Sequence, residues 1–142
     1  MAELVARSDS MLEELAQILS ISPPRLVLDD PWRGLERLAA FLQNTDLDGA
    51  TEDARIWLLN RAGLLIARGL VSRFGGMLAV QRDPAQRFFG NYVVGGMQCP
   101  AGPDAVLDPF AVAHAAIYER PRPNLLALVA EAEAALAKPV PG

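Results

Sequence analysis

The chain has 142 residues, 51% hydrophobic and 21% charged, so it is long enough for one buried core and too apolar to stay disordered. Its 13 Lys and Arg residues against 17 Asp and Glu residues give a net charge of −4 without a dense basic segment, which disfavours nucleic acid as a partner. The single cysteine, Cys99, excludes an internal disulfide and a zinc site built from several thiolates.

Five helices are predicted from capping residues and from apolar residues at helical spacing. Ser10 and Glu13 have the spacing of a capping box at the start of the first helix. The later helices are predicted to start at side chains that cap helix N-termini: Asp30, Thr51, Asp108 and Asn124. In chain order the predicted helices cover residues 11–19, 31–43, 51–74, 109–120 and 125–138. Residues 25–28 are too few to assign, although a brief strand fits them.

The helix predicted over residues 51–74 is expected to form the centre of the core, because apolar residues occupy most of its circumference. Arg61 and Arg68, one heptad apart, are predicted to mark its exposed seam. They also argue against a membrane span, since a cation at mid-membrane depth costs about 2.5–3.5 kcal/mol. Gly63 and Gly69 predict close approach of another element, because glycine costs about 1 kcal/mol relative to alanine inside a helix.

A β-hairpin is predicted over residues 77–82 and 88–94, which are rich in β-branched and aromatic side chains. Residues 105–107 are a candidate third strand, and residues 139–142 a short flexible tail. The expected fold is α+β in a single domain over residues 1–142. It has three N-terminal helices, a small antiparallel sheet built on the hairpin, and two C-terminal helices.

The second half of the chain has a recognisable order of motifs. A helix with small residues, Asn60 to Gly69, ends at Phe74-Gly75-Gly76, a hairpin follows, and Asp108-Pro109-Phe110 opens another helix. This order resembles small bacterial α+β domains of unknown function, over about residues 51–133. The resemblance implies an architecture and a bacterial source, and it supplies no catalytic residues.

Material for catalysis is limited to one thiol and one imidazole. Cys99 and His114, with Asp104 or Asp108, could supply a nucleophile, its base and an orienting carboxylate if the fold brought them together. His114 shares a predicted helix face with apolar residues, which favours a packed histidine. Cys99 has no neighbouring cation or helix start in sequence that would activate a thiolate.

A loop between two predicted helices partly matches a calcium-binding loop. Asn44, Asp46 and Asp48 occupy the first three ligand positions, but the closing position, which needs a bidentate glutamate, is Arg55. A guanidinium cannot ligate a cation, so a solvated loop is predicted, and no metal or cofactor is expected.

The hairpin is the candidate partner-binding surface. Arg82 and Arg87 flank its turn, and Phe89 and Tyr92 follow, which could present a basic and aromatic surface. In the alternative interpretation the aromatic residues belong to the core and the arginines form a solvated rim. Because the edges of a two-stranded hairpin need a cover, a homodimer that buries Phe89 or Tyr92 is predicted.

These observations predict a non-catalytic protein-interaction module, immunity-like or regulatory, whose negative charge faces a basic protein partner. The alternative is a small ligand-binding protein or a thiol-dependent enzyme that uses Cys99 and His114. The start of the chain lacks the apolar stretch of a secretory signal, so a cytoplasmic location without membrane contact is expected.

Overall fold

The structure, a computed structural model, describes residues 7–80 and 91–139. Within these ranges the chain forms six helices and one two-stranded antiparallel sheet, in the predicted α+β order of helices, hairpin strands and helices. The elements are α1 Ser8–Ile18, α2 Leu26–Asp29, α3 Pro31–Asn44, α4 Glu52–Phe74, β1 Met77–Val80, β2 Tyr92–Gly95, α5 Pro109–Tyr118 and α6 Leu125–Ala137. The predicted tail lies outside the described residues except for Pro139.

Most helix starts follow the predicted caps. The side chain of Asp30 accepts the amide of Arg33, and that of Thr51 accepts the amide of Ala54. Asn124 caps α6 through the amides of two residues in the first turn. Each cap satisfies amides that have no partner inside their own helix.

The N-terminal part of the described chain differs from the sequence-based expectations in two places: one predicted cap is wrong, and one unassigned segment is helical. Helix α1 begins at Ser8, so Ser10 lies inside the first turn and its hydroxyl donates to the carbonyl of Arg7 at 3.0 Å instead of capping. The segment for which a brief strand was considered forms the short helix α2, because the carbonyls of Pro23 and Pro24 accept amides three residues ahead of them. This turn leads directly to the cap at the start of α3.

The core surrounds α4, as predicted. Helices α1, α3 and α5 and the sheet all contact α4. Its middle is buried over seven consecutive residues, from Arg61 to Ala67. At its C-terminus Gly75 adopts a φ of 75°, a left-handed conformation that glycine allows, and the chain turns into β1. No helix among the described residues has both the length and the apolar character needed to cross a membrane.

The sheet pairs β1 with β2 in antiparallel register, with Leu78 opposite Val94. The third strand predicted at residues 105–107 reduces to one bridge, in which Val94 and Leu107 exchange backbone hydrogen bonds of 2.8 and 3.1 Å. Because Val94 directs its backbone groups toward Leu107, those of Leu78 point away from β2. Within the described residues β1 is therefore the open edge of the sheet.

Candidate functional site

The predicted nucleophile and base are not joined by any contact in the described part of the chain. Cys99 is half-buried in the loop after β2, where its thiol lies 3.8 Å from the carbonyl of Gly102. His114 lies on α5 and is exposed, so the prediction of a packed histidine is wrong. Its imidazole points away from the apolar face because it stacks on Tyr118, one turn further along, with centroids 4.5 Å apart.

Asp108 has a structural task. It is only 7% exposed, and its Oδ1 accepts the amides of Phe110 and Ala111 at 2.9 and 3.0 Å. Its Oδ2 accepts a hydrogen bond of 3.1 Å from the Nδ2 of Asn91. Both oxygens are thus used to start α5 and to hold the residue before β2, and neither contacts His114. Asp104, the other candidate carboxylate, is exposed in the preceding loop.

A cavity of about 590 Å³ lies between α4, β2 and α5. We name it the Asn60–His114 pocket; the described residues that line it are Leu59, Asn60, Asn91, Tyr92, Asp108, Phe110, Ala111 and His114. It brings together three residues that the sequence had marked separately: Asp108, His114 and Tyr92. The sequence analysis missed Asn60 and Asn91 as site residues. The signal for Asn60 is a lone side-chain amide in α4, next to the buried middle of that helix.

One wall of the Asn60–His114 pocket is aromatic. The rings of Tyr92 and Phe110 meet at a centroid distance of 6.0 Å and an angle of 56°. Phe110 is held against α4 at Gly63, where a Cβ atom would lie only 2.2 Å from the ring. The wall is therefore built on a contact between two helices.

Other lining residues of the pocket are polar. The side chains of Asn60 and His114 have no hydrogen-bond partner among the described residues, so both are available to a ligand. Tyr118 supports the imidazole from behind and donates its hydroxyl to Glu52 at 3.1 Å. Burial, followed by the hydrogen bond to Glu52, raises the pKa of Tyr118, so its hydroxyl stays protonated at neutral pH.

The loop that partly matches a calcium site is held by protein contacts. Asn44 donates to the carbonyl of Ala40 at 2.9 Å, and Asp46 accepts the amide of Gly49 at 3.1 Å. Asp48 pairs with Arg120, whose hydrogen bond lowers the pKa of that carboxyl. In the described ranges no three His, Cys, Asp or Glu residues are arranged to hold a metal ion.

Three of the four predicted partner-binding residues, Arg82, Arg87 and Phe89, lie outside the described residues. The fourth, Tyr92, is half-buried against Phe110 in the Asn60–His114 pocket.

A second concave surface, of about 470 Å³, follows the open edge of β1. We name it the β1 groove and define it by its apolar lining: Leu12, Leu28, Leu64, Val71, Met77 and Leu78. Met77 is 68% exposed, the highest value among the large hydrophobic residues of the described chain. An apolar concavity beside an open strand is the geometry in which a sheet accepts another strand.

The polar rim of the β1 groove carries Arg68 and Asp29. Arg68 is half-buried, not exposed as predicted, because it donates to the carbonyl of Leu28 at 3.2 Å and pairs with Asp9 at 2.6 Å. Asp29 is exposed and makes no ion pair with another described residue. Among the described residues the rim therefore has one negative charge without an ion-pair partner.

Comparison of the chain with protein-family models, with curated proteins and with solved structures finds no match. The resemblance to small bacterial α+β domains stays a prediction.

Proposed function

We propose that this protein is a non-catalytic interaction module that receives an extended segment of a basic partner protein along β1. The observation that carries the proposal is the orientation of the Leu78 backbone groups, which point away from β2, at a residue that also lines the β1 groove. As part of the same proposal, the module acts in the bacterial cytoplasm in an immunity-like or regulatory role.

The backbone supports this function because an open strand edge offers unpaired amides and carbonyls to an incoming strand. Main-chain hydrogen bonds would supply affinity, and every second side chain of the partner would enter the β1 groove, where the lining is mainly aliphatic. We expect the bound segment to alternate apolar and polar residues.

Charge supports a basic partner. The net charge of the chain is −4, Arg68 is neutralised by Asp9, and Asp29 lacks an ion-pair partner in the described part of the chain. A Lys or Arg residue next to the apolar positions of the bound segment would complement Asp29. No described contact joins Cys99 to His114, which leaves the thiol-dependent alternative without an assembled site.

The test is selection from a random peptide library on the immobilised native protein, followed by measurement of the binding of the enriched peptides to a Met77→Glu variant. Enriched peptides are expected to alternate apolar residues and to contain Lys or Arg. The matched control is Ile56→Glu, because Ile56 is also an exposed apolar residue, 44% exposed, but does not line the β1 groove. The enriched peptides should bind this variant as tightly as they bind the native chain. No enrichment, or binding that survives Met77→Glu unchanged, would refute the proposal.

Hydrogen exchange identifies the bound edge. The amide of Leu78 should exchange more slowly when a selected peptide is bound, whereas an unchanged rate would place the peptide elsewhere.

Light scattering on the free protein measures its oligomeric state and so shows whether β1 binds a second copy of this chain or a different protein. A dimer that Met77→Glu converts to a monomer would show that a second copy occupies the β1 groove, contrary to the proposed basic partner.

A further inference from the structure

The Asn60–His114 pocket and the β1 groove have no lining residue in common among the described residues. Its volume, about 590 Å³, falls within the range of about 300–1,000 Å³ that is usual for small-molecule sites. The two concave surfaces can therefore serve different ligands.

The charges of the described lining argue against a charged ligand. No Lys or Arg residue is among them, so the described lining offers no permanent cation to a phosphate or carboxylate. The single carboxylate, that of Asp108, already accepts three hydrogen bonds from two backbone amides and from Asn91. A ligand cation would have to compete with these donors.

The polar groups of the pocket fit a ligand edge that both donates and accepts hydrogen bonds. The Asn60 amide offers an NH₂ donor and a carbonyl acceptor side by side, the pair that binds the edge of a nitrogen heterocycle in a bidentate manner. Asn91 uses its Nδ2 on Asp108, which leaves its Oδ1 as an acceptor. His114 adds a ring nitrogen, held in place by the stack on Tyr118.

The aromatic wall fits a flat ligand. The rings of Tyr92 and Phe110 offer π-faces or edges to a planar ring, and such stacking contributes to the binding of every nucleobase. A flexible aliphatic ligand would gain no stacking from the aromatic wall.

From these observations we propose that the Asn60–His114 pocket binds a neutral, planar nitrogen heterocycle of the nucleobase class. The amide of Asn60 binds the hydrogen-bonding edge of the ring, and the aromatic wall covers one of its faces.

Calorimetric titration of the whole chain with adenine, cytosine and uracil tests the proposal, with naphthalene as a flat ring that has no hydrogen-bonding edge. At least one base should bind saturably and more tightly than naphthalene. Asn60→Leu, which keeps the size of the side chain and removes the amide, should weaken the binding of that base by about tenfold. Gln17→Leu, an exposed change on α1, is the matched control and should leave binding unchanged.

His114→Leu provides a second test that does not depend on how α4 tolerates a change, because residue 114 is exposed. This variant should also bind the base more weakly than the native chain does. If no base binds at millimolar concentration, or if naphthalene binds as tightly and both variants have no effect, the proposal is wrong. Binding of the base should be the same in Met77→Glu, so the outcome is separate from that of the interaction proposal.

Discussion

Gly63 sets the distance between the two helices that carry the Asn60–His114 pocket. A Cβ atom at this position would lie 2.2 to 2.8 Å from three ring atoms of Phe110, closer than real side chains approach. The predicted close approach at Gly63 is therefore confirmed, and its neighbour in space is α5. At Gly69 the equivalent distances, to Leu35 and Trp32, are 3.3 to 3.5 Å, so that position is less crowded.

We expect Gly63→Ala to destabilise the protein by up to about 2 kcal/mol. The added methyl overpacks the contact at a cost of about 1–3 kcal/mol, which exceeds the gain of about 1 kcal/mol in helix propensity. Gly69→Ala is the control and should be near neutral. Urea unfolding of both variants measures the difference. Equal effects of the two changes would contradict the explanation, whereas rescue of Gly63→Ala by Phe110→Leu would support it.

Arg61 is buried, although an exposed seam was predicted. It is 8% exposed, lies over the ring of Trp57 with its Cζ 4.0 Å from the ring centroid, and pairs with Glu14 at 3.1 Å. Its Nε has no hydrogen-bond partner. The long aliphatic stem and the stack on Trp57 therefore account for more of its role than the ion pair does.

The packing of Arg61 leads to a second prediction. Arg61→Ala should lower the free energy of unfolding by about 2 kcal/mol, because it removes buried contacts, while Arg61→Met should keep most of that stability. Glu14→Ala removes only the exposed partner and should cost less than about 1 kcal/mol. Chemical denaturation distinguishes these cases. If Glu14→Ala cost as much as Arg61→Ala, the ion pair would be the dominant interaction.

At the scale of elements, the start of α5 connects the sheet to the pocket. Asp108 caps the helix and also holds Asn91, which precedes β2, so one carboxylate ties a helix to a strand. The cap of α6 at Asn124 is exposed and accepts only from its own first turn. Both side chains accept two amides of the first helical turn, but only Asp108 is buried and also binds a residue outside its helix.

We expect Asp108→Ala to destabilise the protein by about 2 kcal/mol, at the upper end for a cap, because three donors lose their acceptor in a buried place. Asn124→Ala should cost about 0.5–1 kcal/mol, as is usual for an exposed cap. Asp108→Asn, which keeps an accepting oxygen, should fall between the native chain and Asp108→Ala. Thermal and urea unfolding check this order, and equal costs for the two alanine variants would disprove it.

At the scale of the whole molecule, arginines join the loop between α3 and α4 to the connection between α5 and α6. Arg120 pairs with Asp48, and Arg122 donates to the carbonyl of Thr45 at 3.1 Å. From within α4, Arg55 donates to the carbonyl of Leu47 at 3.0 Å. Cations thus hold the loop that partly matches a calcium site.

The ion pair between Asp48 and Arg120 predicts a dependence of stability on pH. The hydrogen bond from Arg120 lowers the pKa of Asp48 below its ordinary value of 3.8, so the pair stabilises the fold above that pH. The contribution is lost as the pH falls through the lower folded value. Asp48→Asn should therefore be less stable than the native chain at neutral pH, by an amount that disappears below pH 3.8 and shrinks in high salt.

The measurement for Asp48 is the urea midpoint of both proteins across this pH range. Asp104→Asn serves as the control, because Asp104 is exposed and makes no ion pair with the other described residues. A difference between Asp48→Asn and the native chain that stayed constant with pH would contradict the predicted linkage.

The sequence by itself determined five of the described helices, the capping residues of α3 to α6 and the two paired strands. Asp30, Thr51 and Asn124 act on amides two or three residues away, so their effect is contained in a short stretch of sequence. The apolar circumference of α4 likewise required burial on most sides, wherever its partners came from.

Only the tertiary structure decided which distant residues meet. Asn60 and His114 share a pocket because Gly63 lets α5 approach α4, and nothing in the sequence near Asn60 specifies that neighbour. The burial of Arg61 depends in the same way on Glu14, a partner 47 residues away. Leu107 covers the outer side of β2, so that within the described ranges β1 is the open edge of the sheet. Interactions between neighbouring residues determine where helices and strands form, whereas tertiary packing determines which of their surfaces stay exposed and can bind a ligand or partner.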